Sequence, residues 1–94
     1  MKKKSGWQYF LELCRAAASE QELQDLLLLL FTPEEVENLD KRVSLIQALL
    51  EEKATQREIA KTLAVSISKI TRGSNGLKNI KPRLKQFLKD KLME

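Results

Sequence analysis

The stretch "QREIAKTLAVSISKITRGSN", Gln56 to Asn75, decides how the rest of the chain is read. Thr55 precedes it as a helix cap, and Glu58 stands where a capping box needs it. A short helix over Thr55 to Leu63 follows. "AVS" breaks that helix, and a second short helix begins after Ser66, carrying Ile67, Ile70 and Thr71. Ile59, Leu63, Val65 and Ile70 fall where two such helices press on each other, and Ala60 is small enough for a close crossing. This is the pattern of a helix-turn-helix, with Ala64 where the turn commonly has Gly. Between the apolar positions lie Gln56, Arg57, Ser68, Lys69, Thr71 and Arg72, donors and acceptors suited to phosphates and base edges. The same pattern also fits a plain helical hairpin. "ITRGSNGL", Ile70 to Leu77, adds a puzzle, because Gly73 and Gly76 lie where the helix should continue. Each interior Gly costs a helix about 0.5–1 kcal/mol against Ala.

Working outward, Pro82 opens a last helix with Leu84, Phe87, Leu88 and Leu92. Upstream, "TPEE" is a strong start signal: Thr32 caps, Pro33 suits the first helical position and Glu35 completes the box. The long helix that follows has one apolar stripe, Val36, Leu39, Val43, Ile46, Leu49 and Leu50, and ends around Glu51 to Lys53. Ser19 with Glu22 reads as another capping box, so a helix starts near Glu20, runs through five leucines and stops near Phe31. A leucine run is apolar all round, which implies burial on more than one side and a packed subunit interface. Trp7, Phe10, Leu11 and Cys14 form a first helical stripe. β-branched residues are scattered and apolar residues recur every three or four positions. The expected class is all-α, with about six short-linked helices, no internal repeat and no low-complexity segment besides the leucines.

At 94 residues the chain suits one small domain, residues 1–94, with little stability to spare and much to gain from a partner subunit. It has no His, which removes His triads, His bases and His metal sites. The lone Cys14 excludes an internal disulfide and a Cys-rich zinc site, and its apolar setting fits a buried thiol in a reducing cytoplasm. No nucleophile–base pair, phosphate-cradling Gly loop or metal cluster points to an enzyme. Gln8, Glu12 and Arg15 interrupt what would be the apolar part of a signal peptide, and "LLLLLF" is too short to span a bilayer. Charge is segregated: residues 1–15 carry net +3, residues 16–40 net −7 with no basic residue, and residues 41–94 net +8. A basic C-terminal half suggests a polyanion partner or a solvated basic surface.

"FTPEEVENLDKRVSLIQALL", "TQREIAKTL" and "ITRGSNGLK" together closely resemble the central block of the tryptophan repressor family. The resemblance covers Leu29 to Leu92, about two-thirds of the chain; the N-terminal third matches in helix pattern, with a leading basic arm short for the family. It implies a six-helix protomer in an intertwined homodimer. The first, second, third and last helices of both chains would build a shared core, and residues 55–78 would form a DNA-reading head on each side. That family supplies known instances of dimeric helix-turn-helix proteins and of water-mediated base contacts, and both properties enter here through the resemblance alone.

The implied function is a transcriptional repressor of tryptophan metabolism genes that binds operator double-stranded DNA when L-tryptophan is bound as corepressor. Arg42 and Arg72 would flank the flat indole, with Arg72 also pairing with the carboxylate. Thr32 would help hold that carboxylate, and the carbonyls of Leu29 and Phe31 from the other subunit would take the ammonium. Gly73 would keep the reading helix clear of a Cβ beside the ring, and Gly76 stands where the family commonly has a Ser that receives the ammonium. For DNA, Arg57 would meet a base edge, Ile67, Ser68 and Thr71 would face the groove, and Gln56, Lys69, Ser74, Asn75 and Lys78 would serve phosphates. Ala60 and Lys69 depart from a common Lys and Thr of the family. Plainer roles stand beside these: a surface charge for Arg42, a phosphate contact for Arg72, a cap for Thr32, a helix end for Gly73. For the whole chain, the alternatives are a repressor of the same fold indifferent to tryptophan, or a helical protein–protein module.

Overall fold

In the computed structural model, which describes residues 3–93, a serine or threonine side chain starts five of the six helices. The helices are α1 (Gly6–Ala16), α2 (Glu20–Leu30), α3 (Pro33–Glu51), α4 (Gln56–Leu63), α5 (Ile67–Asn79) and α6 (Pro82–Leu92). Met1 and Lys2 of the leading basic arm, and Glu94 at the end of the expected domain, lie outside the described residues. No strand forms among the described residues, so the all-α expectation and its six helices are borne out.

The caps explain the boundaries. Thr32 Oγ1 accepts from Glu35 N–H at 3.1 Å while the Glu35 carboxylate accepts from Thr32 N–H at 2.9 Å. Thr55 and Glu58 close the same box at α4, and Ser5 with Gln8 close one at α1. The Ser19 box is met on one side only: its hydroxyl accepts from Glu22 N–H, but the Glu22 carboxylate takes the N–H of Ala18 instead of that of Ser19. Each cap satisfies backbone donors that no helix turn can reach, and is worth about 1 kcal/mol. Pro82 opens α6 without a side-chain cap.

The chain divides within α3, between Val36 and Glu37, into two compact units. In the first, neither α1 nor α2 buries a single residue. Phe10 lies 5.6 Å from Trp7 and meets Phe31 edge-on at 6.1 Å, two ring pairs worth about 0.5–1.5 kcal/mol each beyond their area. Leu29 is nevertheless 81% exposed, and Trp7, Tyr9, Leu28 and Leu30 are each at least half exposed. Among the described residues the end of the leucine run, Leu28 to Leu30, is therefore left open, while Leu26 and Leu27 are half-buried.

The second unit holds the core. Leu45 of α3, Ile59 of α4 and Ile70 of α5 pack together, with Ala48, Leu49, Ala60, Leu63 and Val65 closing around them. Ile70 is fully enclosed. Gln47 of α3 donates its side-chain amide to the carbonyl of Leu92 at 2.8 Å, tying α3 to the end of α6. The expected α3 stripe omitted Leu45. At 3.6 residues per turn Leu45 lies about 160–180° from Val36 and Val43, so α3 has two apolar faces. One meets α4 and α5; the other leaves Leu39 and Val43 nearly half exposed.

α4 and α5 are joined by Ala64, Val65 and Ser66. Ala64 takes the left-handed conformation, φ 54° and ψ 46°, and both its N–H and that of Val65 donate to Ala60 O. A side chain at such a position costs about 1–2 kcal/mol that glycine avoids. α5 is longer than the short helix expected, running 13 residues through both glycines. Ala64→Gly is expected to stabilise the protein by about 0.5–1 kcal/mol, the relief of strain exceeding the added freedom of the unfolded chain. Urea unfolding checks this; a lower midpoint would show that the left-handed turn carries no strain.

Candidate functional site

A groove of about 550 Å³ opens along the core. Asn38, Lys41, Arg42, Leu45 and Ile46 of α3 form one wall, Lys69, Arg72 and Gly73 of α5 the other, with Val65 from the turn at its base. Helical spacing produces both walls: Asn38, Leu45 and Ile46 are the i−4, i+3 and i+4 neighbours of Arg42, and Lys69 and Gly73 flank Arg72. Leu45, Ile46, Val65 and Gly73 supply apolar lining, and four cations stand around it. No carboxylate is among the lining residues. Lys41 pairs at 3.7 Å with Glu37, one turn earlier, while Arg42 and Arg72 form no ion pair among the described residues. Two exposed guanidiniums beside an apolar surface suit a flat aromatic anion: the ring takes the stacking faces and the charge takes the fork of donors.

Gly73 has a packing reason as well. A Cβ there would stand 3.3 Å from Leu45 Cδ2 and 3.5 Å from Leu49 Cδ1. Its absence lets α5 settle close to α3 on the groove's inner side. Gly73 lies inside α5 and does not end it. Gly76 faces open space and is not among the groove's lining residues.

The remaining expected ligand residues lie in the first unit. Thr32 caps α3, Leu29 is exposed, and Phe31 follows the last turn of α2, its N–H on Leu27 O at 2.8 Å and its ring against Phe10. The expected DNA residues line up along the two short helices. Gln56 and Arg57 occupy the exposed first turn of α4. Ile67, Ser68 and Lys69 occupy that of α5, with Thr71 just beyond, and Ile67 is 50% exposed although apolar. Asn75 and Lys78 are exposed further along α5, and Ser74 is half-buried. The N-terminal turns of α4 and α5 therefore both present polar side chains to solvent, where free N–H groups favour anions.

A sequence model of the family described as "Trp repressor protein" matches residues 5–92. The chain belongs to the Trp repressor family. A Trp operon repressor homolog of Chlamydia trachomatis serovar D is 48% identical over 88 residues, 94% of each chain. The homolog of Vibrio parahaemolyticus is 42% identical over 83 residues, 88% of this chain and 81% of that one. That of Pasteurella multocida is 36% identical over 88 residues, 94% and 86% respectively. The resemblance carried by "TPEE" and "TRGSN" is thus borne out, and the chain is a transcription regulator of the Trp repressor type. Among the described residues no helix is long and apolar enough to cross a membrane.

Reading the Trp repressor motifs in sequence brought Arg42, Arg72 and Gly73 to one groove but missed Asn38, Lys41, Leu45, Ile46 and Val65 beside them. Their signal was available: once Arg42 is placed in a groove, its neighbours one turn away on α3 share that wall. Lys69, assigned only to phosphate, also lines the groove, one turn before Arg72. The two α5 glycines differ in a measurable way. Gly76→Ala, in open space, is expected to stabilise α5 by about 0.5–1 kcal/mol, and Gly73→Ala to gain less because Leu45 must give way. Thermal unfolding of both variants decides it; equal gains would mean that Leu45 moves freely.

Proposed function

We propose that the protein is a tryptophan-dependent transcriptional repressor, acting in the cytoplasm as a homodimer on the operator of tryptophan metabolism genes. In this reading residues 1–94 act as a single all-helical DNA-binding domain: residues 55–78 read the duplex and the remainder builds the dimer core. One observation carries the reading: Arg42 of α3 and Arg72 of α5 line the same apolar-based groove, and α5 also carries the exposed Ile67, Ser68 and Thr71. Arg42 and Arg72 flank the indole of L-tryptophan, and Arg72 pairs with its carboxylate. Thr32 assists with the carboxylate, and the carbonyls of Leu29 and Phe31 from the second copy receive the ammonium. A ligand gripped by α3 and α5 together favours the one setting of α5 that fits both, a population shift driven by differential binding. The apolar faces left open on α1, α2 and α6, where Trp7, Leu29 and Phe87 are 67, 81 and 55% exposed, support the dimer core.

A second reading, a repressor of this fold that does not answer tryptophan, is favoured by one feature. The groove's lining side chains offer the ammonium no carboxylate, and Gly76 offers it no hydroxyl. A protein–protein module is a further alternative, set apart by DNA binding with a steep salt dependence.

Gel shifts on duplex DNA upstream of the neighbouring genes, with and without L-tryptophan, test the proposal. Tryptophan is expected to tighten operator binding; tight binding that ignores it selects the second reading. Arg72→Ala should abolish the response while leaving the protein folded and dimeric by light scattering. A monomeric or unfolded variant would mean that Arg72 is structural. Arg57→Ala is expected to reduce discrimination between operator and random duplex by about 1–3 kcal/mol, the value of a bidentate base contact. Equal losses on both duplexes would restrict Arg57 to phosphate.

A further inference from the structure

We propose that Lys85 and Lys89 of α6 join Lys78 of α5 in a second phosphate-binding surface, which holds the DNA backbone beyond the helix-turn-helix. The inference rests on the DNA-binding reading above and extends it to a helix assigned only to the dimer core. A cavity of about 180 Å³, separate from the groove, brings Ser74, Leu77 and Lys78 of α5 together with Lys85 and Lys89 of α6 and with Glu52. Leu49, Leu50 and Leu77 line the same cavity, apolar surface of the kind along which lysine stems lie while the ammonium group stays in water or on an anion.

Charge makes this cluster incomplete as it stands. Lys85 and Lys89 are one turn apart on the same helix face, where like charges repel, and Lys78 adds a third cation across the cavity. Glu52 shares the cavity but forms no ion pair with them; among the described residues the ion pairs are Lys4–Glu12 and Lys41–Glu37. Asp90, the acidic residue of α6, is instead bonded by Gln86 at 2.8 Å. An anion seated among the three lysines removes their mutual repulsion. Ser74 adds a hydroxyl, so the donor set is that of a phosphate site: point charges and one O–H. DNA is the source of phosphate favoured by position. Ser74 and Lys78 lie one to two turns along α5 from Thr71, so the cavity continues the helix face that carries the exposed Ile67 and Thr71. A duplex read by the first turn of α5 carries its backbone along that line.

The test is the salt dependence of binding by the full chain. Each lysine–phosphate contact contributes a slope of about −0.9 in log K against log salt. Lys85→Gln with Lys89→Gln is expected to reduce the slope's magnitude by about two, with the tryptophan response retained. The single variants should each remove about one, and the double Lys→Arg variant should keep the parent slope. Lys91→Gln, at a separate cavity with Glu51 and Lys53, is expected to leave the slope unchanged. A parent that binds DNA with a slope the double variant does not alter overturns the inference alone. An equal drop in Lys91→Gln does so too, since the effect is then helix charge at large. A parent that binds no duplex overturns the DNA-binding reading and the inference with it. Melting with inorganic phosphate separates the sources: stabilisation by phosphate that the double variant loses, with an unaltered DNA slope, assigns the cavity to a free anion and overturns the backbone contact.

Discussion

Leu45, Ile59 and Ile70 pack together from three different helices, and that contact sets α3, α4 and α5 against one another. Leu45 faces two ways. It packs into the core under α4 and α5, and it lines the groove between α3 and α5. The separation of Arg42 from Arg72 is therefore set by how deeply Leu45 and Ile70 interlock, and by Gly73, whose missing side chain leaves Leu45 room at 3.3 Å. Buried aliphatic contacts of this kind are worth roughly 2–5 kcal/mol each when truncated to Ala. A loss there disturbs the groove and the exposed turns of α4 and α5 together.

Electrostatics follows the same division. The unit of α1 and α2, residues 1–36, carries four basic and six acidic residues, net −2, whereas residues 37–94, the unit that carries the helix-turn-helix, hold thirteen basic and seven acidic, net +6. The proposed DNA partner is thereby drawn to one part of the chain and repelled from the other. Within the basic unit cations gather in two places. Arg42 and Arg72, with Lys41 and Lys69, stand beside an apolar groove, whereas Lys78, Lys85 and Lys89, with no arginine, gather around a smaller cavity. Guanidinium suits stacking and forked pairing, and ammonium suits point contact with phosphate.

Much of this was legible in the amino-acid sequence because capping is local. Ser19, Thr32, Thr55 and Ser66 each bond a backbone N–H three residues on, and that spacing is visible without a structure. The packing of Ile59 on Ile70 was legible too, since two short helices joined by three residues leave few ways to bury their apolar positions. Leu45 was not. A helix with apolar residues on two faces looks from its sequence like one broad stripe, and only the arrival of α4 and α5 shows which face is used. The length of α5 was not legible for a related reason: at Gly73 close packing on α3 offsets glycine's intrinsic penalty, and a single exposed Gly76 costs too little to end the helix. The exposed Leu28, Leu29 and Leu30 of α2 mark where single-chain reasoning stops: under the proposed homodimer their cover is a second copy.

The crowding of tasks on α5 has an evolutionary consequence. Between Ile67 and Gly73 the groove-lining Lys69, Arg72 and Gly73 alternate with the outward-facing Ile67, Ser68 and Thr71. Under the proposed function, six of seven consecutive codons answer to two selections, one for the small molecule sensed and one for the genes controlled, with the core residue Ile70 between them. Drift in either taste tugs on the other, so descendants of such a chain are expected to change both specificities together or keep both.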